Sequence, residues 1–208
     1  MRNLKSILVV VFVSLVITSC EKNNEPDLAP VESKTATNIH APVTTDYTVS
    51  PPATSGEFTK FSFKTGTVVT DNSWDIAFRG TSILVNGGTQ IGGLIDEPIR
   101  AGEAALSIET GTFTSVLEAP VDTNFKQDAS SVYALTTGSG NGWYTYAGPP
   151  THLINPIAGK VIVVKTNDGH YAKMEILSYY KDLDTSSDSR YYTFNYIYNP
   201  NIGEKSFE

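Results

Sequence analysis

The chain has a single cysteine, Cys20, so no disulfide can close within it. Histidine is scarce at three residues, and methionine scarcer at two. No HExxH, CxxC or GxSxG pattern occurs, so zinc-protease, dithiol and nucleophile-elbow chemistries lack their residues. No nucleophile–base pair or paired carboxylates stand out, and the chain does not read as an enzyme. Basic residues are outnumbered, 15 against 22 acidic. That excludes nucleic acid, which needs a cationic face to displace counterions. It also excludes adhesion to anionic lipid through a polybasic patch. Helical periodicity is missing after residue 56: no segment holds apolar residues at 3.6 spacing over three turns.

What is present begins at the first residues, MRNLKSILVVVFVSLVITSC. Arg2 and Lys5 make a positive n-region. An apolar run from Ile7 to Ile17 follows, broken only by Ser14. A membrane span needs about 20 apolar residues, so this run reads as a removable signal. It ends in Ile17-Thr18-Ser19-Cys20, which resembles the lipobox of a bacterial lipoprotein signal peptide. Residues 1–19 are the expected signal peptide and Cys20 the lipidation site. Acyl chains contribute about 0.8 kcal/mol per buried methylene, and this anchor is the only membrane contact expected. Cleavage removes Arg2 and Lys5 and no acid, leaving 13 basic and 22 acidic side chains, a formal charge of -9.

Residues 20–56 are expected to be a lipidated cysteine and a disordered tether. Residues 21–56 hold five of the eleven prolines and few large apolar side chains. Such a segment buries too little surface to offset its ordering entropy. Residues 57–208 are then one domain of about 150 residues, enough for a real core.

That domain reads as all-β and antiparallel, a meander-rich sheet or sandwich with little helix. Short aromatic and β-branched runs are separated by Gly and Asn/Asp turns. Phe61 and Phe63 alternate with polar residues, and Trp74, Ile76 and Phe78 fall on one face at period two. Thr81 to Val85 stops at Asn86-Gly87-Gly88. Ala104–Ile108 and Thr112–Leu117 are expected to pair across Glu109-Thr110-Gly111. Trp143–Tyr146 is a short aromatic strand. Lys160–Thr166 is nearly continuous Val/Ile, the mark of a strand buried on both faces. It turns at Asn167-Asp168-Gly169 into His170–Tyr180, and Arg190–Tyr198 closes the meander. One short helix is expected near Asp128–Tyr133.

Candidate chemistry is thin. Gly138-Ser139-Gly140-Asn141-Gly142 precedes a strand, whereas a phosphate cradle needs a helix N-terminus, so it reads as a connection. Asp182, Asp184, Ser186 and Asp188 alternate as in a calcium loop, but the required Gly and the bidentate Glu are missing. A solvated hairpin loop is the better reading. His170 follows Asp168-Gly169 at a hairpin edge and reads as structural. His152 lies in a Pro-rich loop after an aromatic strand, where a rigid scaffold can present a ligand; the competing reading is an exposed loop histidine. Tyr residues cluster in the second half. They suit planar ligands or sugars, and equally they suit a β-sheet.

Four segments together resemble the HmuY family of haem-binding surface lipoproteins of Gram-negative bacteria. They are NSWDIAFRGTSILVNGG (72–88), NGWYTY (141–146), GKVIVVKTNDGHYAKMEILSYYKD (159–182) and RYYTFNYIY (190–198). The resemblance covers most of residues 57–208. It implies an all-β domain that captures haem from host or environmental haemoproteins at the outer membrane or cell surface, and delivery to a TonB-dependent outer-membrane receptor. Family members hold haem iron between a His pair or a Met pair from two loops. Here the second loop offers His152, while Gly80 to Asn141 contains neither His nor Met, and Met174 lies in a strand. A paired His or Met site therefore does not carry over from the resemblance; it leaves five-coordinate ligation of haem iron by His152, with Tyr146 or Tyr133 as a weak second ligand, or haem held by its apolar face alone. The alternative is a surface binding module for a glycan or another ligand, with the fold kept and the iron ligands lost.

Overall fold

A computed structural model describes residues 27–208; the signal peptide and Cys20 lie outside the described residues. Among the described residues thirteen strands are antiparallel wherever they pair. They are β1 (Glu32–His40), β2 (Thr44–Asp46), β3 (Ala53–Ser55), β4 (Thr59–Ser62), β5 (Thr67–Val69), β6 (Ile76–Arg79), β7 (Ser82–Val85), β8 (Ala105–Thr110), β9 (Tyr144–Tyr146), β10 (Ile154–Pro156), β11 (Lys160–Lys165), β12 (Tyr171–Tyr180) and β13 (Ser189–Asn199). One sheet runs β1-β13-β12-β11-β8 and a second runs β5-β4-β6-β7; β2–β3 and β9–β10 are separate ribbons. The all-β reading holds. Helix is confined to two 3-10 turns, Asp122–Asn124 and Lys181–Leu183, among the described residues. None is long or apolar enough to cross a membrane.

The two sheets face each other across one core. Phe61, Phe63, Ile76, Phe78, Ile83 and Val85 come from the smaller sheet and its margins. Leu106, Ile162, Met174, Tyr192, Phe194 and Tyr196 come from the larger. Phe61 and Phe194 meet edge to face at 5.2 Å, a preferred aromatic geometry. Burying each such side chain contributes about 1.5–3 kcal/mol.

The strand expected to be buried on both faces is so. Ile162 and Val164 enter the main core. Val161 and Val163 enter a second cluster with Ala119, Tyr171 and Phe207, which covers the outer face of the larger sheet. Lys173 also lies on that face and is 2% exposed. Its ammonium donates to the carbonyls of Phe113 at 2.6 Å and Val116 at 2.7 Å, as a buried cation must.

Four expectations are corrected. First, residues 32–55 do not form a disordered tether: they hold β1, β2 and β3. β1 pairs with β13 from Glu32↔Tyr198 to His40↔Tyr191, with a bulge between Ala36 and Ile39. Its sequence is poor in large apolar groups because ladder hydrogen bonds to β13 hold it, with only Ala36 and Ile39 packing on the core. Second, residues 112–117 form no strand; β8 pairs with β11 instead. Third, residues 128–133 form no helix, because Ala129 and Val132 bridge as a tight turn. Fourth, Trp74 does not share a face with Ile76 and Phe78. It packs with Phe58, Ala77, Leu84 and Ile91 on the opposite side of the smaller sheet, since β6 starts only at Ile76 and period two does not extend back to it.

The loop over that side is pinned electrostatically. Arg100 pairs with Glu97 and Asp128, each at 2.8 Å, with all three side chains at most 3% exposed.

Candidate functional site

The β9–β10 hairpin carries the principal sequence candidate. Its base is rigid. Trp143 is 3% exposed, and its Nε1–H donates to the Thr81 carbonyl at 2.9 Å, tying the hairpin to the β6–β7 turn. The Ile154 amide donates to the Tyr180 hydroxyl at 2.8 Å. The Tyr146 amide donates to Ser139 Oγ at 2.8 Å, so the glycine-rich connection buttresses β9. The Cβ of any larger residue at 142 would strike the Thr136 carbonyl, 2.2 Å away, which is why Gly142 stands there.

At the tip the His152 amide donates to the Gly148 carbonyl at 2.8 Å, and Ala147 donates to Leu153 at 2.8 Å. His152 takes a φ of 54°, a left-handed conformation in which His is enriched among non-glycine residues. Its ring is exposed. The Tyr146 hydroxyl hydrogen-bonds Nδ1 of His152, with ring centroids 5.8 Å apart. Nδ1 is thus engaged, and Nε2 is the ring nitrogen left for a ligand.

Of the three candidate residues, Tyr146 adjoins His152 and Tyr133 does not. Bonded to Nδ1, the Tyr146 hydroxyl is placed to orient the His152 ring. Tyr133 packs elsewhere, against the cluster of Phe58, Trp74, Ala77, Leu84 and Ile91. Burial pushes its hydroxyl pKa up, partly opposed by Arg79. It lines a separate cleft that includes neither His152 nor Tyr146.

His170 is structural. Its Nδ1 lies 2.9 Å from Asp168 Oδ1 with the ring 13% exposed, and it packs on Tyr198 at 5.5 Å. Partial burial raises the Asp168 pKa, but bonds from Lys64, His170 and Thr166 outweigh it and hold the carboxyl at about 2.

The Asp182–Asp188 loop satisfies its own groups. Asp184 Oδ1 accepts the Ser186 amide and hydroxyl at 2.8 and 2.7 Å. Asp182 and Asn38 bond reciprocally at 2.6 and 2.8 Å, which fastens the loop to the β1 bulge. No group of three or more His, Cys, Asp or Glu suited to a metal occurs among the described residues.

Sequence reasoning missed Arg79. It ends the WDIAFR run, where an arginine reads as a solvated strand end. In the structure it is 5% exposed, and its guanidinium lies 4.1 Å from the Phe58 ring centre. The available signal was a charge directly after Ala77-Phe78, without a turn residue between.

Several solved structures are similar to this chain. The apo HmuY analog of Tannerella forsythia is 16% identical with a TM-score of 0.48, covering 84% of this chain and 100% of that one. A candidate HmuY-like heme-binding protein from Bacteroides vulgatus ATCC 8482 is 19% identical with a TM-score of 0.49, covering 82% and 93%. A candidate lipoprotein from Bacteroides fragilis NCTC 9343 is 14% identical with a TM-score of 0.45, covering 81% and 92%. Among curated proteins nothing matches. The family model described as HmuY protein matches residues 55–196, from the end of β3 into β13, and the chain belongs to the HmuY family.

Proposed function

We propose that the protein is a haem-binding, hemophore-like surface lipoprotein that captures haem for uptake, with His152 as the iron ligand. The observation that carries this reading is the Tyr146–His152 pair at the tip of a braced, exposed hairpin. A ligating imidazole almost always has its other ring nitrogen held by a partner that fixes the ring, and Tyr146 is such a partner. Tyr146 is also 46% exposed, which offers an aromatic face to a flat porphyrin. Family membership supports the reading, as does the name given to the Bacteroides vulgatus protein. Lipid anchoring through Cys20 at the outer membrane, haem from host haemoproteins and hand-over to a TonB-dependent receptor complete the proposal. No enzymatic step belongs to it.

Soret titration with haemin tests it. Wild type and His170→Ala should give the same saturable one-to-one shift. His152→Ala should lose the ligated band. Tyr146→Phe should keep the band and weaken binding on the order of tenfold. Equal, broad and unsaturable absorbance for wild type and His152→Ala would sink ligation and favour the glycan-type binding module.

A further inference from the structure

A cleft of about 210 Å³ opens between the β2–β3 ribbon and the β6–β7 turn. Val43, Thr45, Thr54, Arg79, Thr81, Leu94 and Tyr133 are among its walls. Arg79 is the informative one. It is 5% exposed, yet no carboxylate of the described residues pairs with it. The nearby acids are otherwise engaged: Asp96 accepts the Gly56 amide at 3.0 Å, and Glu97 holds Arg100 at 2.8 Å. Within the protein Arg79 donates through Nη1 alone, to the carbonyls of Gly56 at 3.0 Å and Ile95 at 2.5 Å.

A guanidinium carries five N–H donors in a planar fork. The donors on Nε and Nη2 have no protein acceptor among the described residues. Among the described residues the only buried side-chain nitrogen or oxygen without a partner is nonetheless Trp74 Nε1, so the free arginine donors are not sealed off, and Arg79 lines this cleft. The Tyr133 hydroxyl shares the cleft and likewise has no hydrogen-bond partner among the described residues. Burial lowers the Arg79 pKa, only partly opposed by Tyr133, Asp96 and Glu97, a cost that a bound anion would reduce.

We propose that this cleft is a carboxylate-binding site, with the free edge of the Arg79 guanidinium as a bidentate anchor and the Tyr133 hydroxyl as a third donor. A planar carboxylate matches the fork geometry. Val43 and Leu94 give it a small apolar wall, which suits a short aliphatic or aromatic acid. The same chemistry has two sources, a free small acid or a carboxylate arm of a larger ligand such as a porphyrin propionate.

The test is NMR titration of the labelled wild-type protein with propionate, propionamide and inorganic phosphate. Propionate should shift the Arg79 Nε–H and the Gly80 and Ser82 amides saturably. Propionamide, equal in shape but neutral, should bind at least about tenfold more weakly. Tyr133→Phe should melt like wild type and weaken propionate severalfold. No saturable shift at Arg79, equal shifts with propionamide, or phosphate binding tighter than propionate would each overturn the assignment. Haemin compared with its dimethyl ester separates the sources: an ester penalty in wild type that shrinks in Tyr133→Phe identifies the porphyrin arm, and its absence leaves the free acid. The propionate titration needs no haem, so it stands or falls apart from His152 ligation.

Discussion

Asp75 shows at the scale of one residue how a polar side chain joins the two sheets. It is 2% exposed. Its Oδ2 accepts the Phe63 amide at 2.8 Å, and its Oδ1 accepts the Asn167 amide at 2.8 Å. One carboxylate thereby ties the smaller sheet to the β11–β12 turn. Burial dominates its pKa and pushes it up to about 6, against the two amide bonds that lower it. The folded state therefore binds a proton more readily than the unfolded chain. The stabilisation from protonating Asp75 appears as pH falls through about 6 and is complete below the ordinary carboxylate value of 3.8. Urea unfolding should show stability rising from pH 7 to pH 5, and Asp75→Asn should flatten that slope while lowering stability overall. A slope unchanged by Asp75→Asn would remove Asp75 as its source. In the sequence Asp75 is merely the polar member of an alternating run. Its burial depends on Asn167, 92 positions away, and no local pattern records such a partner.

Among the elements, β1 decides where the domain begins. It covers the edge of β13 and buries Ala36, with Ala41 buried just after it, and His40 stacks on Tyr191 at 4.4 Å. Without it β13 would present a long edge of unpaired amides and carbonyls, the usual template for association. A chain starting at Glu57 should melt at a lower temperature than one starting at Asp27, by about 2–4 °C for each kcal/mol lost, and should self-associate. Identical melts and monomeric behaviour for the two would show β1 to be dispensable. The strands legible in advance, β11, β12 and β13, carry their own apolar pattern. β1 carries almost none, because its partner supplies both the ladder and the core.

At the scale of the whole molecule, β1 also shortens the leash. Among the described residues the chain is already held at Ala29, whose amide donates to Asn201 Oδ1 at 2.9 Å and whose carbonyl accepts from Asn201 Nδ2 at 2.7 Å, so at most residues 21–28 could separate the proposed lipid on Cys20 from the folded body. Each residue spans at most about 3.3–3.6 Å, so the domain would stay near the membrane surface, well within the reach that a tether to residue 56 would have allowed. Cys20→Ala should release the protein from the membrane fraction or leave its signal uncleaved. Normal processing with unchanged membrane partition would rule out the anchor.

By itself the sequence determined the all-β class, the strands of the closing meander, the aromatic strand that leads into the His152 loop, and the family. Each rests on a local signal: side-chain alternation, turn residues, or a motif of neighbouring positions. Only the tertiary structure decided that Tyr146 braces His152, that Trp74 faces away from Ile76 and Phe78, that Arg79 is buried without a counter-ion, and that β1 is a strand. Those outcomes depend on groups far apart in the chain, whose hydrogen bonds and packing arise only when the two sheets close on each other. Local propensity is weak against such contacts, and where it was silent or misleading, the partner strand or the opposing sheet set the result.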